Sequence, residues 1–238
     1  MSAPIISLAP GVVRIPTMGD FINSFAFLDE DGQVTLVDCG VKKAPPKIVA
    51  ALQHLGKHPS DVTRIILTHA HSDHAGGAKE MLDSTGVHGV DIHEADVEYI
   101  VAGRNAPADT STSAGRMMSR MPGGTFESFP ISTPLRDGDV VDVGGGLRIV
   151  HTPGHTPGHI SLLHEKTGVL ITGDALFNPF SRMTWPFAPT CTSAGQNRES
   201  AALLADLDFL VAAFTHGTEI KVNAREAVRS FLTRKGAL

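Results

Sequence analysis

Cysteine is nearly missing from this chain of 238 residues: Cys39 and Cys191 are the only two. They lie far apart and outside any C-x-x-C pattern, which argues against a disulfide framework or a thiolate-built structural zinc cage and for a reducing compartment. Long apolar runs are missing too, and Met1-Ser2-Ala3-Pro4 leads into no basic segment followed by an apolar stretch. A soluble, cytoplasmic protein with no membrane partner is the expectation. There is no excess of positive charge, since 20 Lys and Arg stand against 25 Asp and Glu for a net charge of −5. Without a basic field, no nucleic-acid partner is expected. No Pro/Gly/Ser linker divides the text, and 42% hydrophobic residues suffice for a substantial core.

Histidine, by contrast, is abundant and grouped, with 12 residues in all. The segment His69-Ala70-His71-Ser72-Asp73-His74 follows the β-branched, apolar run Arg64–Thr68, which reads as a buried strand, and precedes Ala75-Gly76-Gly77-Ala78, a turn into a helix. The cluster therefore stands at a strand's C-terminal end, where layered α/β sheets carry chemistry. His69 and His71 are two apart and point the same way if the strand continues through them; Asp73 and His74 follow the turn and can address a second point.

The same punctuation recurs. Strands at 12–15, 22–28 and 34–37 read as antiparallel sheet ending at Asp38, which is either a turn or cap residue or a group holding a metal-bound histidine by its distal nitrogen. A helix from Pro45 is stopped by Gly56, and others are expected at 75–82, 94–101, 198–207 and 224–233. Strands at 139–143 and 147–150 lead to His151-Thr152-Pro153-Gly154-His155-Thr156-Pro157-Gly158-His159, a rigid turn presenting His155. The hairpin 160–172 ends at Asp174, and a strand over 209–214 ends at His216. His54, His58, His88 and His93 carry no ligand spacing and read as surface or packing residues.

Two stretches lack regular pattern. Residues 103–134, with Met117 and Met118 between arginines, form either a lid over a partly apolar substrate or a surface insertion. Asn178 to Gly195 carries the single tryptophan, Trp185, and follows Phe177; these aromatics belong either to a pocket wall or to a satellite core.

Taken together, His69, His71, Asp73, His74, His155, Asp174 and His216 come from four segments, and their order resembles the metallo-β-lactamase fold superfamily, of which Thr68-His69-Ala70-His71-Ser72-Asp73-His74 is a signature. The resemblance implies an α/β (α+β) four-layer αββα sandwich, a single domain over 1–238 with a lid or loop insertion at 103–134. It implies two divalent ions, zinc in the first place with iron or manganese as alternatives. His69, His71 and His155 would hold the first, Asp73, His74 and His216 the second, with Asp174 bridging. The chemistry implied is hydrolysis of a small lactone, ester or thioester by a hydroxide between the ions, Asp73 handling a proton. Gly173-Asp174-Ala175-Leu176-Phe177 and His-Thr-Pro-Gly-His look closer to glyoxalase-II-like thioesterases and lactonases than to true β-lactamases. A tyrosine near the bridging aspartate is associated with acyl-homoserine-lactone lactonases, whereas this chain has Phe177 after Asp174 and its sole tyrosine, Tyr99, in a remote helix. Other members of the fold offer a mononuclear iron oxygenase of the persulfide-dioxygenase type, a β-lactamase or a nuclease. The partner expected is a small acyl substrate, with a homodimer left open.

Overall fold

The computed structural model describes residues 5–111, 113–118, 120 and 124–238. Twelve strands are found among them: β1 (Ile6–Ala9), β2 (Val12–Pro16), β3 (Asn23–Leu28), β4 (Val34–Val37), β5 (Val62–Ile66), β6 (Val90–His93), β7 (Ile131–Leu135), β8 (Val140–Val141), β9 (Leu147–His151), β10 (Ile160–His164), β11 (Val169–Ile171) and β12 (Val211–Ala213). The helices are α1 (Pro45–His54), α2 (Ala78–Thr85), α3 (Val97–Ala102), α4 (Ser113–Met118), α5 (Ala194–Ala201) and α6 (Ala224–Arg234).

The first sheet runs in chain order from β1 to β7, antiparallel through β4 and parallel from β4 to β7. The second has the order β12-β11-β10-β9-β8, with only the β11–β12 pair parallel. Side chains alternate across each strand, which explains the unbroken apolar runs. Ile66 points into the layer between the sheets with Phe25, Phe27, Ile149, Leu162 and Ile171, while its neighbours Ile65 and Leu67 face Ile48, Leu52 and Met81 of α1 and α2. Leu170 likewise faces away from the sandwich, toward Leu204, Val228 and Phe231 on the side of α6. Two sheets pack face to face with helices on both outer surfaces, the αββα order expected.

Several elements differ from the sequence pattern. β7 lies inside the stretch expected to be irregular: Ile-Ser-Thr-Pro-Leu shows no alternation, and its Pro134 is tolerated because β7 is an edge strand. β1 is the other edge of that sheet and only four residues long, too short to stand out. The strand expected over 139–143 pairs only at Val140–Val141, and Gly144 to Gly146, all with positive φ, turn the chain back into β9. The helix expected from Arg198 begins earlier, at Ala194, because Ser193 caps it by accepting from the Gln196 N–H, and it tightens into a 3-10 turn at Ala202.

The sheets are joined at one end. The Ile160 N–H donates to Thr68 O at 3.0 Å, and the Asn23 N–H donates to Thr215 O at 2.9 Å. That end holds the strand termini to which the histidines belong.

Candidate metal centre

The segment 69–77 leaves β5 as a tight turn rather than a continued strand: the His74 and Ala75 N–H groups both donate to His71 O, at 3.0 and 2.7 Å. Glycine is required at its end, since a Cβ on Gly77 would stand 2.4 Å from Cys39 O. The turn folds His69, His71 and His74 toward one point, with ring centroids of His69 lying 4.8 Å from His71 and 4.1 Å from His74. His155 arrives from the turn between β9 and β10, its ring 4.7 Å from that of His69. Asp174 follows β11 and His216 follows β12.

Three overlapping groups result, each with its ligand atoms within 4.8 Å of one another: His69, His71 and His155; His69, His74 and Asp174; and Asp73, His74 and His216. Asp174 Oδ2 lies 3.0 Å from His155 Nε2, 3.3 Å from His216 Nε2 and 3.9 Å from His69 Nε2, while its Oδ1 lies 3.5 Å from His74 Nε2. Asp73 Oδ2 is 3.7 Å from His74 Nε2 and 3.5 Å from His216 Nε2. Ligands on one tetrahedral ion with bonds of about 2.05 Å stand about 3.3 Å apart, so these separations suit a metal.

The ring nitrogens give an independent test of fit. His69 Nε2 and His155 Nε2 are buried and lack a hydrogen-bond partner; Asp174 is close to His155 but out of line for a hydrogen bond. Leaving such a group unsatisfied costs about 1–3 kcal/mol. A cation accepts both lone pairs at once, and the imidazole and carboxylate donors are those that divalent ions of zinc type take.

The opposite nitrogens are held by the protein. Asp38 has φ 60°, in the left-handed region. This conformation lets Oδ1 accept the Thr68 N–H at 2.8 Å while Oδ2 accepts from Thr68 Oγ1 and from His74 Nδ1, both at 2.8 Å. His69 Nδ1 meets Thr68 Oγ1 at 3.0 Å, and the backbone O of Phe21 accepts from His216 Nδ1. Thr215 Oγ1 donates to Asp174 Oδ1 at 2.6 Å. Of the two roles open to Asp38 from sequence, the structure places it against the distal nitrogen of His74.

Three supporting residues were not found from sequence. His159 Nε2 accepts the Asp174 N–H at 2.7 Å. Asp96 accepts from the Ala70 N–H, Thr156 Oγ1 and the Gly158 N–H at 2.9, 2.7 and 2.6 Å, tying the His69–His74 turn to the His155 turn. Cys191 Sγ lies 3.5 Å from His155 Nδ1. The rigid His-Thr-Pro-Gly-His wording was the available signal for His159; Asp96 and Cys191 stand on segments with no motif.

Electrostatics follow from burial and crowding. Burial, helped by neighbouring imidazoles, holds His69 and His71 well below the usual histidine range, in the neutral form that donates lone pairs. Burial opposes charge on His74 as well, but Asp174, Asp73 and Asp38 outweigh it and raise His74 to about 10. Asp174 is driven well below the carboxylate range: burial works the other way, and His216, His74, His155 and His69 overcome it. The cluster draws positive charge into its centre.

A cavity of about 680 Å³ opens above the cluster, bordered by His71, Asp73, His155, Asp174 and His216 and walled by residues including Phe177, Phe187 and Pro189. Phe177 lies against His216 with ring centroids 4.4 Å apart. Trp185 is not on this wall; it packs 5.1 Å from Phe231 of α6, in the outer core. Met117 is exposed on α4 and does not border the cavity, and the side chain of Met118 lies outside the described residues.

The family model for the metallo-beta-lactamase superfamily matches residues 18–216, a span that contains every residue of the cluster. The chain belongs to this superfamily. Among similar proteins, the uncharacterized protein YobT of Bacillus subtilis is 31% identical over 201 residues, 80% of this chain and 81% of that one. A hydroxyacylglutathione hydrolase of Cereibacter sphaeroides is 33% identical over 169 residues, 69% of this chain but only 51% of its own length. The chain thus matches about half of that relative. A solved metallo-beta-lactamase family protein from Thermus thermophilus superposes with a TM-score of 0.74 at 26% identity, over 97% of this chain and 81% of that one. The metallo-beta-lactamase MIM-1 from Novosphingobium pentaromativorans has a TM-score of 0.75 at 22% identity, over 98% and 87%, and shares the fold.

Proposed function

We propose that this chain is a dinuclear metal-dependent hydrolase, with zinc as its metal, that cleaves a lactone, ester or thioester of a small molecule. The two buried, partnerless nitrogens of His69 and His155 beside Asp174 carry this reading. His69, His71 and His155 would hold one ion and Asp73, His74 and His216 the other, with Asp174 between them. Bound there, divalent ions supply a Lewis acid for a carbonyl oxygen and lower the pKa of water from about 15.7 toward roughly 7. The side chains do the remainder. Asp38, Thr68 and the Phe21 carbonyl fix the direction in which His74, His69 and His216 present their lone pairs. Asp73, partly exposed on the cavity side, has Oδ2 turned toward His74 and His216, which leaves Oδ1 as the atom that takes a proton from water and returns it to the leaving group. Phe177, Phe187 and Pro189 exclude solvent from one flank of the acyl group.

The relatives named hydroxyacylglutathione hydrolase support acyl transfer from sulfur to water as the reaction class. Since the chain matches half of the Cereibacter protein, the thioester class is carried over and its particular thiol is not. Metal content of protein purified without supplementation, together with a panel of lactones, esters, thioesters and a β-lactam, tests the proposal. Close to two zinc per chain and hydrolysis lost in His69→Ala and Asp174→Ala are expected. Full activity in either variant, or iron as the sole metal with oxygen uptake on a persulfide, overturns it.

A further inference from the structure

The cavity above the cluster is bordered by a cationic residue that hydrolysis does not require. Among the described residues bordering it, Arg104 is the only lysine or arginine. Arg14, Arg64, Arg136, Arg148 and Arg225 each have a carboxylate partner, whereas no ion pair involves Arg104 among the described residues. Its guanidinium instead lies over the Tyr99 ring, with Cζ 5.3 Å from the centroid. A cation–π contact of this kind engages the charge and consumes none of the guanidinium N–H donors.

The segment carrying Arg104 is held at several points. The Arg104 N–H donates to Tyr99 O at 3.1 Å, and Arg104 pairs antiparallel with Thr125 across the cavity rim. Next in sequence, Asn105 accepts the Ser72 N–H at 2.9 Å through Oδ1, which fixes this strip to the turn that presents His69, His71 and His74. Further along, Thr192 Oγ1 donates to Pro107 O at 2.9 Å. A cationic residue is therefore carried on a braced strip bordering the same cavity as Phe177, Phe187 and Pro189. The chain's net charge of −5 supplies no general attraction for anions, so Arg104 is the one lysine or arginine among the described residues of this cavity that can add to the pull of a metal at its floor.

We infer that Arg104 is a specificity-determining residue, selecting substrates that carry a carboxylate away from the bond to be cleaved and a short apolar portion between. One guanidinium suits the two coplanar oxygens of a carboxylate. The inference takes the location of the scissile bond from the hydrolase reading, while recognition of the anion stands on Arg104 alone.

The test uses two probes that cannot be hydrolysed: a short alkyl thioether ending in a carboxylate, and the same thioether as a neutral carboxamide. Both are titrated calorimetrically into the protein as purified, and into Arg104→Met and Arg104→Lys after their melting curves match the parent. The parent is expected to bind the carboxylate roughly 10–100-fold tighter than the amide, the worth of a charge-assisted hydrogen bond. Arg104→Met should bring that ratio to within about threefold, and Arg104→Lys should keep part of it. No preference in the parent, or an undiminished preference in Arg104→Met because the carboxylate is held by metal alone, overturns the inference. Because neither probe is cleaved, failure of the thioester counterparts to be hydrolysed counts against the hydrolase reading and leaves this result intact.

Discussion

Asp38 combines an unusual backbone with three hydrogen bonds, and the two can be separated by substitution. At φ 60° asparagine is tolerated far better than other side chains, and alanine is strained. Asp38→Asn should therefore stay close to the parent in thermal melts while weakening metal binding roughly 10-fold, because an amide replaces the carboxylate on His74 Nδ1; Asp38→Ala should lose both stability and roughly 10–100-fold in affinity. Competition with a chromogenic chelator reads the affinities. Cys191 offers a second comparison at this scale. Its thiol, pushed up to about 12 by burial and then by Asp174, stays protonated and is a weak partner for His155 Nδ1. Cys191→Ser keeps an acceptor of smaller size and Cys191→Val keeps the volume without one, so valine should weaken metal binding more than serine. The reverse order would mean that packing, not the hydrogen bond, is what Cys191 provides.

Among the elements, the turn after β11 is tightly constrained. Gly173 has φ +53°, and a Cβ there would stand 2.5 Å from His159 Nε2, the atom that receives the Asp174 N–H. Gly173→Ala should cost about 1–3 kcal/mol and displace Asp174, seen as a lowered melting temperature together with reduced metal content. Elements of this kind were legible in proportion to how much local chemistry they carry. β11 and the C-terminal half of β5 were readable because burial on both faces demands continuous apolar residues, and α1 because Ile48, Leu52 and the stop at Gly56 follow helical spacing. The edge strands β1 and β7 were not, since an edge needs neither alternation nor length. Strand-end acids and imidazoles announced themselves by repetition, whereas Asp96 reaches the centre from the start of α3 through contacts with residues 26 to 62 positions distant, a relation that no local pattern encodes.

For the whole molecule, acid is a useful probe because His93 is buried in the sandwich end and stacked on His151 at 3.9 Å. Burial, then His151, lowers it to about 4 from an ordinary 6.5. Above 6.5 the native and unfolded chains are both neutral at this position and its contribution is complete; as pH falls toward 4 the unfolded chain takes up a proton that the native chain refuses, and stability drops. His93→Asn, which keeps an acceptor for the Ala95 N–H, should flatten denaturation midpoints across that window relative to the parent. Removing metal is the complementary experiment. A ligand present at 1,000 times its dissociation constant contributes about 4.1 kcal/mol, so exhaustive chelation should lower the melting temperature, and restored zinc should recover it.

The cluster draws His69, His71, Asp73 and His74 from the first sheet and His155, Asp174 and His216 from the second. An ion seated there acts as a rivet through two plates, and neither plate keeps a complete set of holes when they part. Heat inactivation and loss of the sandwich should accordingly trace one curve.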